Sequence, residues 1–201
     1  PRLSAITLTL IPKPVAPVIT VPKFELKEFA PLVYGCGGLE TGEDVNDLTF
    51  EYADMGWGTM FYTVALPEIP VSSTLTFEGH DYAQVFVNDT FVGKTDRVKN
   101  EKTVNLPAVK KGDELMILVE GMGRINFGRA IKDFKGIVGD VTITTEYGNN
   151  EYTIKPKTWA SCTIPDDYQT AIHALNRAKQ AKSTRVIGKA GYYRGYFNLK
   201  K

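Results

Sequence analysis

The chain has 201 residues, 43% of them hydrophobic and 23% charged, with a formal net charge of +1. That length buries a sizeable core and that composition excludes intrinsic disorder. Near-neutrality lacks the basic excess that binds nucleic acid, and no apolar run approaches the ~20 residues that span a bilayer, so neither nucleic acid nor membrane is expected as a partner.

Residues 1–32 alternate short β-prone runs (6–10, 18–21 and 24–28) with prolines at 12, 14, 17, 22 and 31, which predicts an extended, semi-rigid connector. There is no initiator Met or signal pattern at Pro1, and the chain is expected to continue a longer polypeptide. Residues 35–47, GCGGLETGEDVND, read as an exposed turn region with a domain boundary near 45. From Leu48 the pattern turns to β. Residues 48–52 alternate with period 2, 59–66 are aromatic and β-branched, and 73–77 alternate again. Residues 82–87 predict a strand, Asn88-Asp89 suits the positive φ of a tight hairpin, and 90–94 return. With 103–106, 114–119 and 138–145 the count reaches about eight short strands, which means a sandwich or barrel. The alternation fits antiparallel sheets packed face to face over a core that includes Val85, Val87, Leu115, Ile117, Val119, Val141 and Ile143.

After Gly148, residues 149–155 form another β-prone run and Trp159 reads as an anchor. A helix is expected over 166–178, capped by Asp166, with Tyr168, Ile172 and Leu175 on its apolar face. Residues 179–189 are basic and read as an exposed segment, and 191–199 as an aromatic strand in need of a partner.

Strands 114–119 and 138–145 are joined by a long, glycine-punctuated loop, LVEGMGRINFGRAIKDFKG over 118–136. Its Arg124, Arg129, Lys132 and Lys135 supply charge; Ile125, Phe127, Ile131 and Phe134 are expected as apolar anchors. The segment fails as a phosphate cradle: it lacks the third glycine of a dinucleotide fingerprint, and has Arg129 and Ala130 where a P-loop needs Lys and Ser or Thr. Two readings stay open. Either Ile125 and Phe134 pin the loop to its own domain, or Arg124, Asn126 and Phe127 meet something outside it.

Catalytic sets are sparse. The two histidines, His80 and His173, form no ligand cluster with the two cysteines, Cys36 and Cys162, so no metal and no cofactor are expected. His80 reads as a strand-entry histidine held by hydrogen bonds, and the clustered acids Glu40, Glu43, Asp44, Asp166 and Asp167 as solvated turn residues, which leaves no catalytic pair. The cysteines are bridged or free. Most aromatic rings belong to a core, while Trp57 and Tyr82 are the candidates for stacking on a sugar. Asn88-Asp89-Thr90 matches a glycosylation sequon but is explained by the hairpin.

Four segments together resemble one family: Asp54-Met-Gly-Trp57-Gly-Thr-Met-Phe-Tyr62, Gly79-His-Asp-Tyr82 through Gly93-Lys-Thr-Asp-Arg97, the 118–136 loop with Asp133-Phe-Lys-Gly136, and Tyr192-Tyr-Arg-Gly195. The chain resembles the non-catalytic C-terminal region of glycoside hydrolase family 35 β-galactosidases. The resemblance implies an all-β fold, an antiparallel jelly-roll sandwich of the galactose-binding-domain-like type, with one short helix. It divides the chain into a connector from a missing catalytic barrel (1–45), the sandwich (46–148), and a connection ending in the first strand of a second sandwich (149–201). A periplasmic or extracellular, bacterial parent that hydrolyses galactosides with retention is implied, and this piece is not itself an enzyme. Its expected partners are the parent's own (β/α)₈ barrel, its second sandwich and a galactoside. Arg124, Asn126 and Phe127 are expected at the barrel-facing rim. Gly121 departs from the Asn or small residue that family members often carry there.

Overall fold

A computed structural model describes Ala16 and residues 18–129, 131–181 and 190–199. The runs at 6–10, prolines 12, 14 and 17, and the basic stretch 182–189 lie outside the described residues.

In chain order the strands are β1 Leu26–Pro31, β2 Glu40–Gly42, β3 Gly58–Ala65, β4 Ser73–Thr76, β5 Gly79–His80, β6 Tyr82–Val87, β7 Thr90–Asp96, β8 Thr103–Leu106, β9 Glu114–Gly121, β10 Gly136–Ile137, β11 Thr142–Tyr147, β12 Asn150–Ile154 and β13 Trp159–Ile164; helix α1 Tyr168–Gln180 and β14 Gly191–Gly195 follow. They form an all-β, antiparallel sandwich. A six-stranded sheet, β2-β13-β3-β9-β6-β7, faces a four-stranded one, β12-β11-β4-β8. Phe50, Tyr62, Leu75, Phe77, Val85, Ile117, Ile143 and Trp159 fill the space between them, and all seven core residues named from the sequence lie in this cluster. The β6–β7 hairpin turns through Asn88 and Asp89 at φ 46° and 66°, as the sequence predicts.

Several elements differ from expectation. The alternating run 48–52 is not a strand: Val45–Leu48 is a 3₁₀ turn followed by further turns. Leu48 and Phe50 are buried as the alternation implies. However, Asp44 accepts from the Asn46 amide at 2.9 Å while Asp47 reaches back to the Asp44 amide at 3.3 Å, a reciprocal cap that starts a helical turn instead. The strand expected over 138–145 begins only at Thr142, as β11; residues 138–141 bend through Gly139, and the short β10 precedes them. In α1 the cap is Asp167, whose carboxylate accepts from the Thr170 amide at 2.8 Å. Tyr168 is 74% exposed rather than on the buried face, which is formed by Ala174 and Leu175 against Ala30. Small alanines let the helix approach β1 closely, and no bulky ring is needed there. The helix also takes in Lys179, which pairs with Glu28 at 2.8 Å.

The outer face of the six-stranded sheet is apolar as well. Phe61, Phe86, Met116, Leu118, Cys162 and Ile164 cluster there under Leu32, Val33 and Tyr192. This two-sided burial explains why β9 reads as a continuous apolar run. Cys36 is bridged to Cys162, with Cα atoms 5.9 Å apart, which settles the open question about the thiols. β14 pairs with β1 in a separate two-stranded ribbon, where Phe29 meets Tyr193 and Phe24 meets Phe197.

The bridge spans 126 residues of sequence. In the chain-entropy account a loop of that size is worth about 5 kcal/mol. Cys36→Ser is therefore expected to lower the urea midpoint strongly, and reduction of the unaltered chain to do the same; equal midpoints would refute this role.

Candidate functional site

One end of the sandwich is closed by the loop 122–135, and strand register decides what meets there. Tyr82 pairs with Glu120 on β9 and with Asp96 on β7. Asp81 and Arg97, the residues just outside the β6–β7 pair, therefore lie side by side, and Met122 follows the end of β9 beside them. The Asp81 amide donates to Glu120 O and the Arg97 amide to Asp81 O, both at 3.0 Å. On the loop's return, β10 pairs with β5, Gly136 opposite His80. Gly136 has φ +96°, and a Cβ there would run into the Tyr62 hydroxyl, so this turn requires glycine.

Asp133 and Lys135 precede that turn, two residues apart and pointing to the same side. Lys135 is 0% exposed. Its Nζ lies 2.7 Å from Asp81 Oδ2 and 2.9 Å from Asp133 Oδ2. Arg97 Nη1 lies 2.9 Å from Asp81 Oδ1 and 2.7 Å from Asp133 Oδ1. Two carboxylates and two cations thus form a closed, neutral ring. Backbone amides complete it: Met122 N–H donates to Asp81 at 2.8 Å and Ile125 N–H to Asp133 at 3.1 Å. Burial pushes the Asp133 carboxyl up, but hydrogen bonds from Lys135, Arg97 and Ile125 outweigh it and hold it down at about 2. Asp81 is lowered too, by Lys135, Arg97 and the Met122 amide against the opposing effect of burial. These carboxylates are ionised and committed to cations, so neither holds a proton for general-acid chemistry. Among the described residues, no group of three or more His, Cys, Asp or Glu is placed to hold a metal ion.

Arg124 braces the loop from the other side. Its guanidinium donates to Glu51 Oε1 at 2.5 Å, Asp133 O at 2.8 Å, and the carbonyls of Gly56 and Met55 at 3.2 Å. Glu51 also accepts from the Lys135 amide at 3.0 Å. His80 is held by hydrogen bonds as expected, with Nδ1 2.7 Å from Phe134 O and Nε2 2.9 Å from Glu78 Oε1.

The expected apolar anchors are not anchors. Phe127 is 88% exposed, Ile131 and Phe134 are also largely exposed, and Ile125 is half-buried. The loop is pinned by Asp133 and Lys135, two charges whose burial the composition of the segment does not suggest. The acids expected in solvated turns, Glu40, Glu43, Asp44, Asp166 and Asp167, are exposed; Asp133, outside those clusters, is 5% exposed. Asn126 is exposed beside Phe127. Trp57 is 69% exposed and borders a groove of about 650 Å³ with Met122, Arg124, Pro165 and Tyr192. Tyr82 lies apart on β6, half-buried, with Lys94 Nζ 5.4 Å from its ring centroid. The structure thus brings Trp57 and Arg124 to one groove and leaves Tyr82 out of it.

Removing one charge from the ring leaves another buried and unpaired, so Lys135→Ala is expected to cost about 3–5 kcal/mol by urea unfolding. The pH response follows from Asp133. Its folded value lies below the ordinary 3.8, so its contribution is complete above about pH 4 and drains as pH falls towards 2. About 2 kcal/mol should be lost across that window, and Asp133→Asn should flatten it. An equal decline in that variant would refute the assignment.

Comparison with known proteins places these features. The family model described as the first all-beta domain of β-galactosidase matches residues 47–157. The β-galactosidase of Bos taurus is 37% identical over 113 residues, covering 54% of this chain and 17% of that protein. That of Mus musculus is 34% identical over 152 residues, covering 71% of this chain and 23% of that protein. The chain thus spans less than a quarter of the length of these relatives. The relatives matched include proteins of Bos taurus, Homo sapiens and Oryza sativa, all eukaryotes, which gives the expected bacterial source no support. Among solved structures, the apo form of Pleurotus ostreatus lectin aligns over 76% of this chain and 40% of that chain at 16% identity and a TM-score of 0.37. With the family match covering more than half of its residues, the chain belongs to the β-galactosidase first all-beta domains, and is a non-catalytic accessory domain.

Proposed function

We propose that this domain docks on the catalytic barrel of its parent β-galactosidase, with the loop 122–135 facing the active-site rim and shaping the aglycone side. The carrying observation is the exposed apolar crest of Phe127, Ile131 and Phe134 on a backbone locked by a buried ion ring. Apolar side chains displayed on a rigid frame mark an interaction surface. Asn126 and Phe127 make the outward contacts in this reading. Arg124 positions the loop, because its donors are used within the domain. The barrel supplies the two catalytic glutamates of a retaining hydrolase, as the family resemblance implies, and residues 1–45 connect to it. The β1–β14 ribbon, with Leu26, Tyr193 and Phe197 exposed, begins a second sandwich and packs against the rest of it. The Cys36–Cys162 bridge supports an exported parent, since disulfides persist in oxidising compartments.

Phe127→Ala separates docking from folding. In this domain alone its effect on stability should stay within about 0.5 kcal/mol. In the intact parent it should lower kcat/KM by up to about tenfold, the scale of one buried interface aromatic. An intact parent with unchanged kcat/KM and Tm would sink the docking reading.

A second reading rests on Trp57, whose exposed indole borders the 650 Å³ groove: a carbohydrate-binding module that acts without the barrel. Calorimetric titration of this chain with galactose, lactose and galactan distinguishes the two. Millimolar or tighter binding that Trp57→Ala abolishes favours the module; no heat of binding favours docking.

A further inference from the structure

We propose that His80 is a proton-operated clamp that closes the loop 122–135 onto β5. Both ring nitrogens face oxygens: Nδ1 lies 2.7 Å from the Phe134 carbonyl on the loop, and Nε2 lies 2.9 Å from Glu78 Oε1 beside β5. A carbonyl oxygen only accepts, and so does an ionised carboxylate. The Glu78 carboxyl is held below its usual range, chiefly by Lys102 at 2.7 Å and then by His80. Two acceptors require two N–H donors, which only the imidazolium supplies. A neutral ring has one N–H and one lone pair, so in either tautomer a lone pair opposes an oxygen at hydrogen-bond distance. One jaw of the clamp must then open.

The surroundings make this proton matter. Asp133 Oδ1 lies 3.9 Å from Nδ1. Behind it stand Arg97, Lys135 and Asp81, and behind Glu78 stands Lys102. The anions Glu78, Asp81 and Asp133 balance the cations Arg97, Lys102 and Lys135, so the imidazolium carries the one uncompensated charge of the cluster. The His80 side chain is 10% exposed, so a partner lost on the Phe134 side is not easily replaced by water, whereas Glu78, at 43%, is open to it. The Phe134 carbonyl belongs to the residue between Asp133 and Lys135, so opening this jaw loosens the segment that supplies half of the ion ring. The clamp concerns the loop itself and holds whether or not the loop docks on a barrel.

The test follows His80 ring nitrogens and loop amides by NMR on the ¹⁵N-labelled chain across its histidine titration. Amide exchange at Met122 and Ile125, corrected for its intrinsic pH dependence, should become about tenfold faster as the His80 ring loses its proton, the equivalent of one charge-assisted hydrogen bond. His173 lies exposed on α1 and provides the control titration. Glu78→Gln is the discriminating variant, because its amide N–H can donate to a neutral Nε2: the transition should vanish and the loop stay protected. His80→Gln should exchange fast at every pH. Equal protection in both ring states, or an unchanged transition in Glu78→Gln, would overturn the clamp.

Discussion

The buried ammonium of Lys135 between Asp81 and Asp133 is the constraint on which this end of the sandwich depends. Each partner arrives by a different route: Asp81 from the entry to β6, Arg97 from the exit of β7, Asp133 and Lys135 from the end of the loop. A closed ring of this kind adds little net stability over an apolar replacement, because desolvating four charges consumes most of the Coulombic gain. What it contributes is uniqueness. The Met122 and Ile125 amides find their acceptors in one loop conformation, and any other leaves a buried charge without its partner. The loop is therefore an ordered part of the domain even though its large apolar side chains face solvent.

A second constraint is that the six-stranded sheet is buried on both faces. Between the sheets the core is built by alternation, but β3 and β9 also carry Phe61, Met116 and Leu118 on the outside. That second face needs a cover, and the segment around Leu32 and Val33 supplies it together with Tyr192, while α1 packs behind at Ala30. The elements flanking the sandwich in sequence thus close it in space. β13 enters the same sheet between β2 and β3, beyond the end of the matched family segment.

What was legible in the sequence follows from range. Strands β3, β4, β6, β8 and β9 and the Asn88-Asp89 hairpin were readable because alternation and turn chemistry are local properties. The run at 48–52 reads as a strand because two buried residues spaced by two satisfy a strand and a capped turn equally well; the deciding group, Asp44, lies upstream. β13 gives little strand signal because Ala160, Ser161 and Thr163 dilute its alternation. The ion ring was beyond reach, since Asp81 and Asp133 are far apart in the chain and isolated acids look solvated. One local signal did exist. In Asp133-Phe134-Lys135 an extended backbone puts both charges on one side and the phenyl on the other, so burying the first two exposes the third. Apolar identity suggests an anchor, and here the anchors are the charges.

The Cys36–Cys162 bond also sets how mechanical load passes through the molecule. Tension in the residues before Cys36 does not pass through the long stretch of chain that follows; it crosses the sulfur bridge directly into β13, one strand in from the edge of the larger sheet. From β13 that load is shared along the sheet through the β13–β3 and β3–β9 ladders. A domain tethered in this way yields last at the point where it is attached.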